Sequence, residues 1–357
     1  MSFSIKENEE DARERLRAFW EGSSMGRPAL HVTAAKPEPE NGPCPFDGLS
    51  LKEKDLLPEW HARQADLQLN NTIYLAEAMP AATIGFGSLL VTAAALAGAN
   101  YHYVSNSAWI EEIPGLWERP LPQFDASHPV AGKLEKCVRK VAETVGDRGF
   151  VNPPVMLDAI TNLSQFRTPE QLCLDVVERP CEVCEWCDAL TSLYIECHDH
   201  FYRLVCELGY GDTSAWLCAM AEGKFEAAQC DFSVMLSPGM FDRLIMPDLR
   251  RMTDSMDFSL YHLDGVCQLR FLDSLCSLPK LNGIQWNPEP GECEAMKWLE
   301  AFREIRKRKL CLHIGCTVEE AVMLTRELGP DGLLLVLPRF ESREDAEQAI
   351  QDIKKAS

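Results

Sequence analysis

Positive charge is what this 357-residue chain has little of: 35 Lys and Arg stand against 55 Asp and Glu, a formal net charge of −20. Such a surface repels phosphate backbones and anionic lipid, so nucleic-acid and membrane-surface roles are set aside. Long apolar runs are missing as well. The longest, 89–99, is Ala-rich and falls short of the roughly 18 residues a membrane span requires. The opening stretch MSFSIKENEEDARERLRAFW is charged from Lys6 and holds no apolar segment of the secretory kind, so a cytoplasmic location is expected. No internal repeat or low-complexity tract stands out. Disorder is excluded along most of the length, because 46% hydrophobic and 25% charged is ordinary globular composition.

Cysteine, by contrast, is plentiful. There are fifteen, an odd number, mostly inside apolar patterns, in a chain too large to need disulfide staples. They read as reduced thiols of a cytosol, such as that of an anaerobe.

Periodicity divides the chain into alternating segments. Residues 7–21 read as a polar helix, 27–34 as a strand, and 36–48, with four prolines and two glycines, as an exposed loop. Helical patterns follow over 56–78, 88–97 and 129–145. Strand-like runs then occupy 149–157, 228–233, 258–263, 283–286, 310–314 and 332–337, separated by helical patterns at 169–208, 238–256, 266–276, 293–309, 317–328 and 343–355. Strand alternating with helix argues for parallel βα units. With 27–34 and two weaker candidates, 81–84 and 215–220, the strands number eight or nine. The expectation is a (β/α)₈ barrel over 56–357 with a helix-and-loop extension over 1–55. An open doubly wound sheet is the alternative, but RPALHVTAAKPEPENG lacks its glycine-rich first turn.

In a barrel the chemistry sits at the C-terminal strand ends. Those ends here are His31, Asp158, Cys230-Asp231-Phe232-Ser233, His262-Leu263-Asp264-Gly265, Gln285-Trp286-Asn287-Pro288, His313 with Cys316, and Arg339. His262 and Asp264 are two apart and share a strand face. They suit acid–base work, the carboxylate orienting the imidazole, or a shared metal; the plainer alternative is a buried polar layer. Gln285 and Asn287 likewise share a face, and Trp286 could wall a flat ligand. Asp231 and Ser233 serve a ligand or a loop cap, and Ser237-Pro238 looks like a helix start. The turn 85–88 offers backbone amides to an anion, or is only a tight turn. Cys181-x-x-Cys184-x-x-Cys187 tempts toward an iron–sulfur cluster. However, its fourth cysteine is ten residues on, and the stripe from Val183 to Leu208 makes Cys187 and Cys197 core residues. His198 and His200 read as surface residues.

The stretch QCDFSVMLSPGMFDRLIMPDLRRM (229–252), then YHLDG (261–265), then NGIQWNPEPGE (282–292), resembles the uroporphyrinogen decarboxylase superfamily, nearest its corrinoid- and methyltransferase-related branch. The resemblance covers roughly 55–355 and is strongest after 210. It implies a (β/α)₈ barrel with one of two chemistries: decarboxylation of a tetrapyrrole without cofactor, or methyl transfer with a corrinoid (cobalamin) protein, often with zinc. Decarboxylases of the family carry an Arg-rich segment after the first strand, where this chain has His31-Val32-Thr33-Ala34-Ala35-Lys36-Pro37-Glu38; Arg27, Arg167 and Arg339 are scattered. The zinc enzymes carry His-x-Cys where this chain has His262 and Asp264, and a Cys on the last strand where this chain reads Leu335 to Phe340 without one.

The resemblance therefore favours a corrinoid-dependent methyltransferase. His262, Asp264 and Asp231 would be catalytic. Phe232, Ser233, Gln285, Trp286, Asn287, His313 and Arg339 would line the substrate site. His262, Asp264, Glu289 (or Glu292) and Cys230 (or Cys316) are candidate Zn²⁺ ligands. The expected partners are a small methyl donor or acceptor, a corrinoid protein and a second copy of the chain. Tetrapyrrole decarboxylation and a non-catalytic corrinoid- or tetrapyrrole-binding barrel are the alternatives.

Overall fold

The computed structural model describes residues 2–40, 42, 45–85, 92–104, 107–289 and 291–357. The turn at 85–88 and the start of the helix expected from 88 thus lie largely outside the described residues. Among the described residues there are eleven strands: β1 (Ala29–Ala35), β2 (Thr72–Ala76), β3 (Ala81–Ala82), β4 (Tyr101–Val104), β5 (Ser107–Ile110), β6 (Phe150–Val151), β7 (Phe225–Ala228), β8 (Phe258–Asp264), β9 (Gly283–Asn287), β10 (Cys311–Gly315) and β11 (Leu333–Val336). A seven-stranded sheet runs β2-β1-β11-β10-β9-β8-β7. It is parallel throughout except for β2, which lies antiparallel on β1. β3 and β6 form a separate parallel pair, and β4 and β5 an antiparallel one. The second half thus follows the expected βα alternation, with helices between consecutive strands from β7 to β11.

The sheet does not close into the expected eight-stranded barrel, and two local causes are visible. First, the run TIYLA, which extends the helical pattern of 56–78, leaves the helix after Asn70 and pairs with β1 as β2. Its β-branched and aromatic residues fit a pleated surface better than a helix, and β2 takes the edge a parallel neighbour would have used. Second, the strand expected over 149–157 shrinks to two residues. Beyond it, Asn152 reaches across by side chain, donating to the Ala215 carbonyl at 2.8 Å and accepting from the Ser214 amide at 2.8 Å. Segment 213–215 is in turn tied to β7, where Thr213 Oγ1 accepts from the Phe225 amide at 2.9 Å. Side chains, rather than a strand ladder, bridge that gap, and the weak strand candidate at 215–220 is a turn.

β1 lies inside the sheet between β2 and β11, so the sheet draws on residues before 56. Glu77, just past β2, is fully buried. It accepts both Arg27 guanidinium nitrogens at 2.6 and 2.8 Å and the Leu30 amide at 2.7 Å. This bidentate pair clamps β2 to the start of β1.

The pattern over 169–208 is two helices, Pro169–Glu178 and Pro180–Glu207, broken where Pro180 starts the second. The expected stripe of the longer one is buried, Cys187 and Cys197 included, while Cys181 and Cys184 are exposed. His198 departs from expectation. It lies on the buried side of that helix, with Nε2 3.8 Å from Glu226 on β7. His200, two positions on, points away to Glu135 at 2.7 Å.

Candidate functional site

Strand register sets the site. His262 pairs with Gln285 across β8 and β9, and Gln285 with His313 across β9 and β10. In a pleated sheet such cross-strand partners share a face, and alternate residues along each strand join them. Asp264 and Asn287, themselves partners, therefore lie one step further toward the strand ends on the same face. By the same parity His31 of β1 faces that side, two strands beyond His313. The structure thus brings His262, Asp264, Gln285, Asn287, His313 and His31 to one inner face.

Their bonds fix orientation. His262 is buried and its Nδ1 bonds to Gln285 Oε1, which leaves Nε2 directed at Asp264 Oδ1, 4.0 Å away. Asn287 donates to the same Asp264 oxygen at 2.6 Å. The Asp264 side chain is 45% exposed, so the pair opens to solvent. Trp216 presents its ring edge-on to His262, centroids 4.7 Å apart. Gly265 follows at φ +77°, and a Cβ there would lie 2.7 Å from Glu289 Oε1, so Glu289 folds over the backbone beside Asp264.

A second carboxylate group adjoins. Asp158 is not a strand-end residue but caps the helix Ala159–Arg167, its Oδ1 accepting from the Thr161 amide at 3.0 Å. Its Oδ2 is buried without a partner. Burial, then the nearby Asp231, pushes this carboxyl up to about 7. Asp231 lies at the lip. Desolvation and Asp264 hold its carboxyl above the usual range, against the opposing pull of His262. Thr161 Oγ1 accepts from the Asp231 amide at 3.2 Å and so ties the two elements together. Asp158, Asp231, Asp264 and His262 form one electrostatically linked row.

His313 is buried with neither ring nitrogen paired; burial first, then His31, pushes it down to about 3. His31 is pushed down to about 4 by burial, and its Nδ1 is sealed without a partner. Both imidazoles are therefore neutral at physiological pH.

Several sequence expectations need correction. β7 ends at Ala228, so Cys230 to Ser233 lie beyond it, in a loop and a tight 3-10 turn at Asp231–Met235. Phe232 is in the hydrophobic core, and Ser233 Oγ closes the turn on the Cys230 carbonyl at 2.6 Å, so neither faces the mouth. Trp286 points away from the site, packed on Trp298 and Phe302 on the helical side, because it alternates with Gln285 and Asn287. Cys230 is buried and desolvation pushes its thiol well up. Among the described residues no three His, Cys, Asp or Glu side chains converge to hold a metal ion, so the expected zinc set of His262, Asp264, Glu289 and Cys230 is not assembled.

Beside this face opens a cleft of about 280 Å³. His31 and Trp216 form the side nearest His262, and Arg339 stands at its rim, one guanidinium nitrogen donating to the Asn71 carbonyl at 2.6 Å. The sequence reading missed Trp216, Thr72, Tyr74 and Cys218, which also line it. They come from β2, hidden in a helical pattern, and from an aperiodic turn segment. No sequence signal marked them except the lone Trp between two glycine-bearing turns.

No family model matches the chain, and no curated protein does. Among solved structures it is similar to a methyltransferase from Methanosarcina mazei, with a TM-score of 0.62 and 13% identity over 97% of this chain and 98% of that one. The likeness is one of fold, and it runs nearly end to end. Among the described residues no helix is long and apolar enough to cross a membrane.

Proposed function

We propose that the protein is a methyltransferase acting on a small substrate held in the cleft, the other station of the methyl group being a corrinoid carried by a separate protein. The observation that carries this reading is a His–carboxylate row opening beside a small-molecule cleft, on a fold that a methyltransferase shares over nearly its whole length. A cleft of about 280 Å³ suits a compact metabolite. A corrin macrocycle is far larger, so these residues do not enclose one.

What the chain's own residues contribute is proton handling and orientation. A heteroatom that loses a methyl cation retains the bonding electrons and needs a proton; one that gains it must shed a proton. Asp158, its carboxyl pushed up to about 7 by burial, is linked electrostatically to Asp231, and Asp231 to Asp264 and His262. The row sets proton-holding carboxyls between the buried Asp158 and the exposed mouth. Gln285 fixes the imidazole so that Nε2 is the end facing Asp264 and the mouth. A polycarboxylate decarboxylase would need several free cations. Arg27 is consumed by Glu77 and Arg167 by Asp175 at 2.7 Å, which leaves Arg339 alone at the cleft among the described residues.

The test uses methylcobalamin as the probe, with thiol and phenol acceptors and the cobalt spectrum as readout. Demethylation is expected, and His262→Ala lowers it by about 100-fold or more with thermal unfolding unchanged. Absence of turnover with every acceptor overturns the reading. Release of CO₂ from uroporphyrinogen would replace it with decarboxylation.

A further inference from the structure

The cleft differs in charge from the molecule around it. In a chain of net charge −20, no Asp or Glu and no Lys among the described residues lines it; the one ionised group they place there is Arg339 at the rim. That guanidinium forms no ion pair with any described carboxylate. One of its five N–H groups is taken by the Asn71 carbonyl, and that bond steadies the side chain while leaving the rest of its planar fork available. At the other side stands His31, neutral, its ring on the cleft wall and hydrogen-bonded to the Cys218 backbone. Between the two ends, methionine, alanine and threonine side chains leave room for a short uncharged body.

We infer that the cleft selects a small monocarboxylate bearing its methyl group on a heteroatom, the carboxylate gripped by Arg339 at the rim and the heteroatom lodged against His31. This rests on the methyltransferase reading and adds the substrate class. Carboxylate matches the planar fork in a two-bond geometry. One arginine within a strongly negative molecule admits one anionic group and repels a polyanion. Neutral imidazole can accept from or donate to an oxygen, nitrogen or sulfur atom without adding charge.

The probes are methoxyacetate, (methylthio)acetate and N,N-dimethylglycine, each beside its primary amide. Binding to the full-length protein is read by calorimetry, and methyl release separately with pre-reduced cob(I)alamin as acceptor. At least one acid is expected to bind at least 10-fold more tightly than its amide. Arg339→Gln is expected to abolish that preference, and Arg339→Lys to restore part of it. His31→Phe, which fills the polar end, weakens acid and amide alike. Acids that bind in this pattern without releasing methyl sink the reaction and leave the substrate class standing. Equal binding of acid and amide, a preference that survives Arg339→Gln, or no binding of any probe at millimolar concentration overturns the substrate class whatever the reaction proves to be.

Discussion

At the residue scale the site is a problem of where protons reside. Asp158 has its carboxyl raised from 3.8 to about 7. Between those values the folded chain keeps a proton that the unfolded chain has released. Stability attributable to this group is therefore intact at low pH and falls as pH rises toward 7, with the full penalty above it. Asp158→Asn keeps the oxygen that caps Thr161 and removes the ionisation. Its urea midpoint should exceed that of the parent by clearly more at pH 8 than near pH 4.5; an equal difference at both values would show that the buried carboxyl is not protonated at neutrality. Sequence pattern made the inner-face row of His262, Asp264, Gln285 and Asn287 legible, because alternation in a strand is unambiguous once the strand is found. The same parity excludes Trp286 from that row, since a strand cannot aim neighbours one way. His198 was opaque for a different reason. Helical spacing shows that it and His200 diverge, but which of the two faces inward depends on Glu226, 28 positions away on β7.

At the element scale, the second half of the chain was readable because each strand from β7 onward is bounded by breakers and followed by an amphipathic helix. The first half was not. β2 follows the helix Pro58–Asn70 with one intervening residue, and its identity is decided by pairing with β1 and by the Arg27–Glu77 clamp, neither of which leaves a local signature. That clamp is testable. Removing one partner of a buried, bidentate ion pair strands the other charge, at about 3–5 kcal/mol. Glu77→Ala should lose about that much in urea unfolding and also open the β2 side of the cleft, seen as faster amide exchange at Tyr74 and Leu75. A loss under 1 kcal/mol would mean that β2 is held by its ladder alone. Asn152 plays the matching part on the other seam. Asn152→Ala deletes the bonds to Ser214 and Ala215 that no backbone ladder replaces. A loss of about 2–3 kcal/mol is expected, with hydrogen exchange accelerated in 213–215 before β7.

At the scale of the whole molecule, burial and net charge make opposite demands on the acid side and the same demand on the basic side. Buried His198 and His313 are each pushed down to about 3, so the folded chain refuses protons that the unfolded chain accepts, and stability is lost as pH falls below 6.5. Buried Glu226 is pushed up to about 8, and Asp158 and Asp248 to about 7, all chiefly by desolvation, so stability is also lost as pH climbs toward 8. Below 6.5 the two sets oppose each other and the curve should be shallow; above it only the carboxyls act, joined by self-repulsion of a molecule already at −20. The urea midpoint should therefore fall only gently up to pH 6.5 and more steeply from there to about pH 8. Salt separates the two basic-side causes. Adding 0.5 M NaCl screens surface repulsion but reaches buried groups poorly, so it should recover only part of the decline. Glu226→Gln, which cannot ionise beside His198, should recover a further part that is insensitive to salt. Full recovery by salt alone would assign the decline to surface charge and leave Glu226 ionised at no cost. That outcome is incompatible with a carboxyl sealed behind β7 against an unprotonated imidazole.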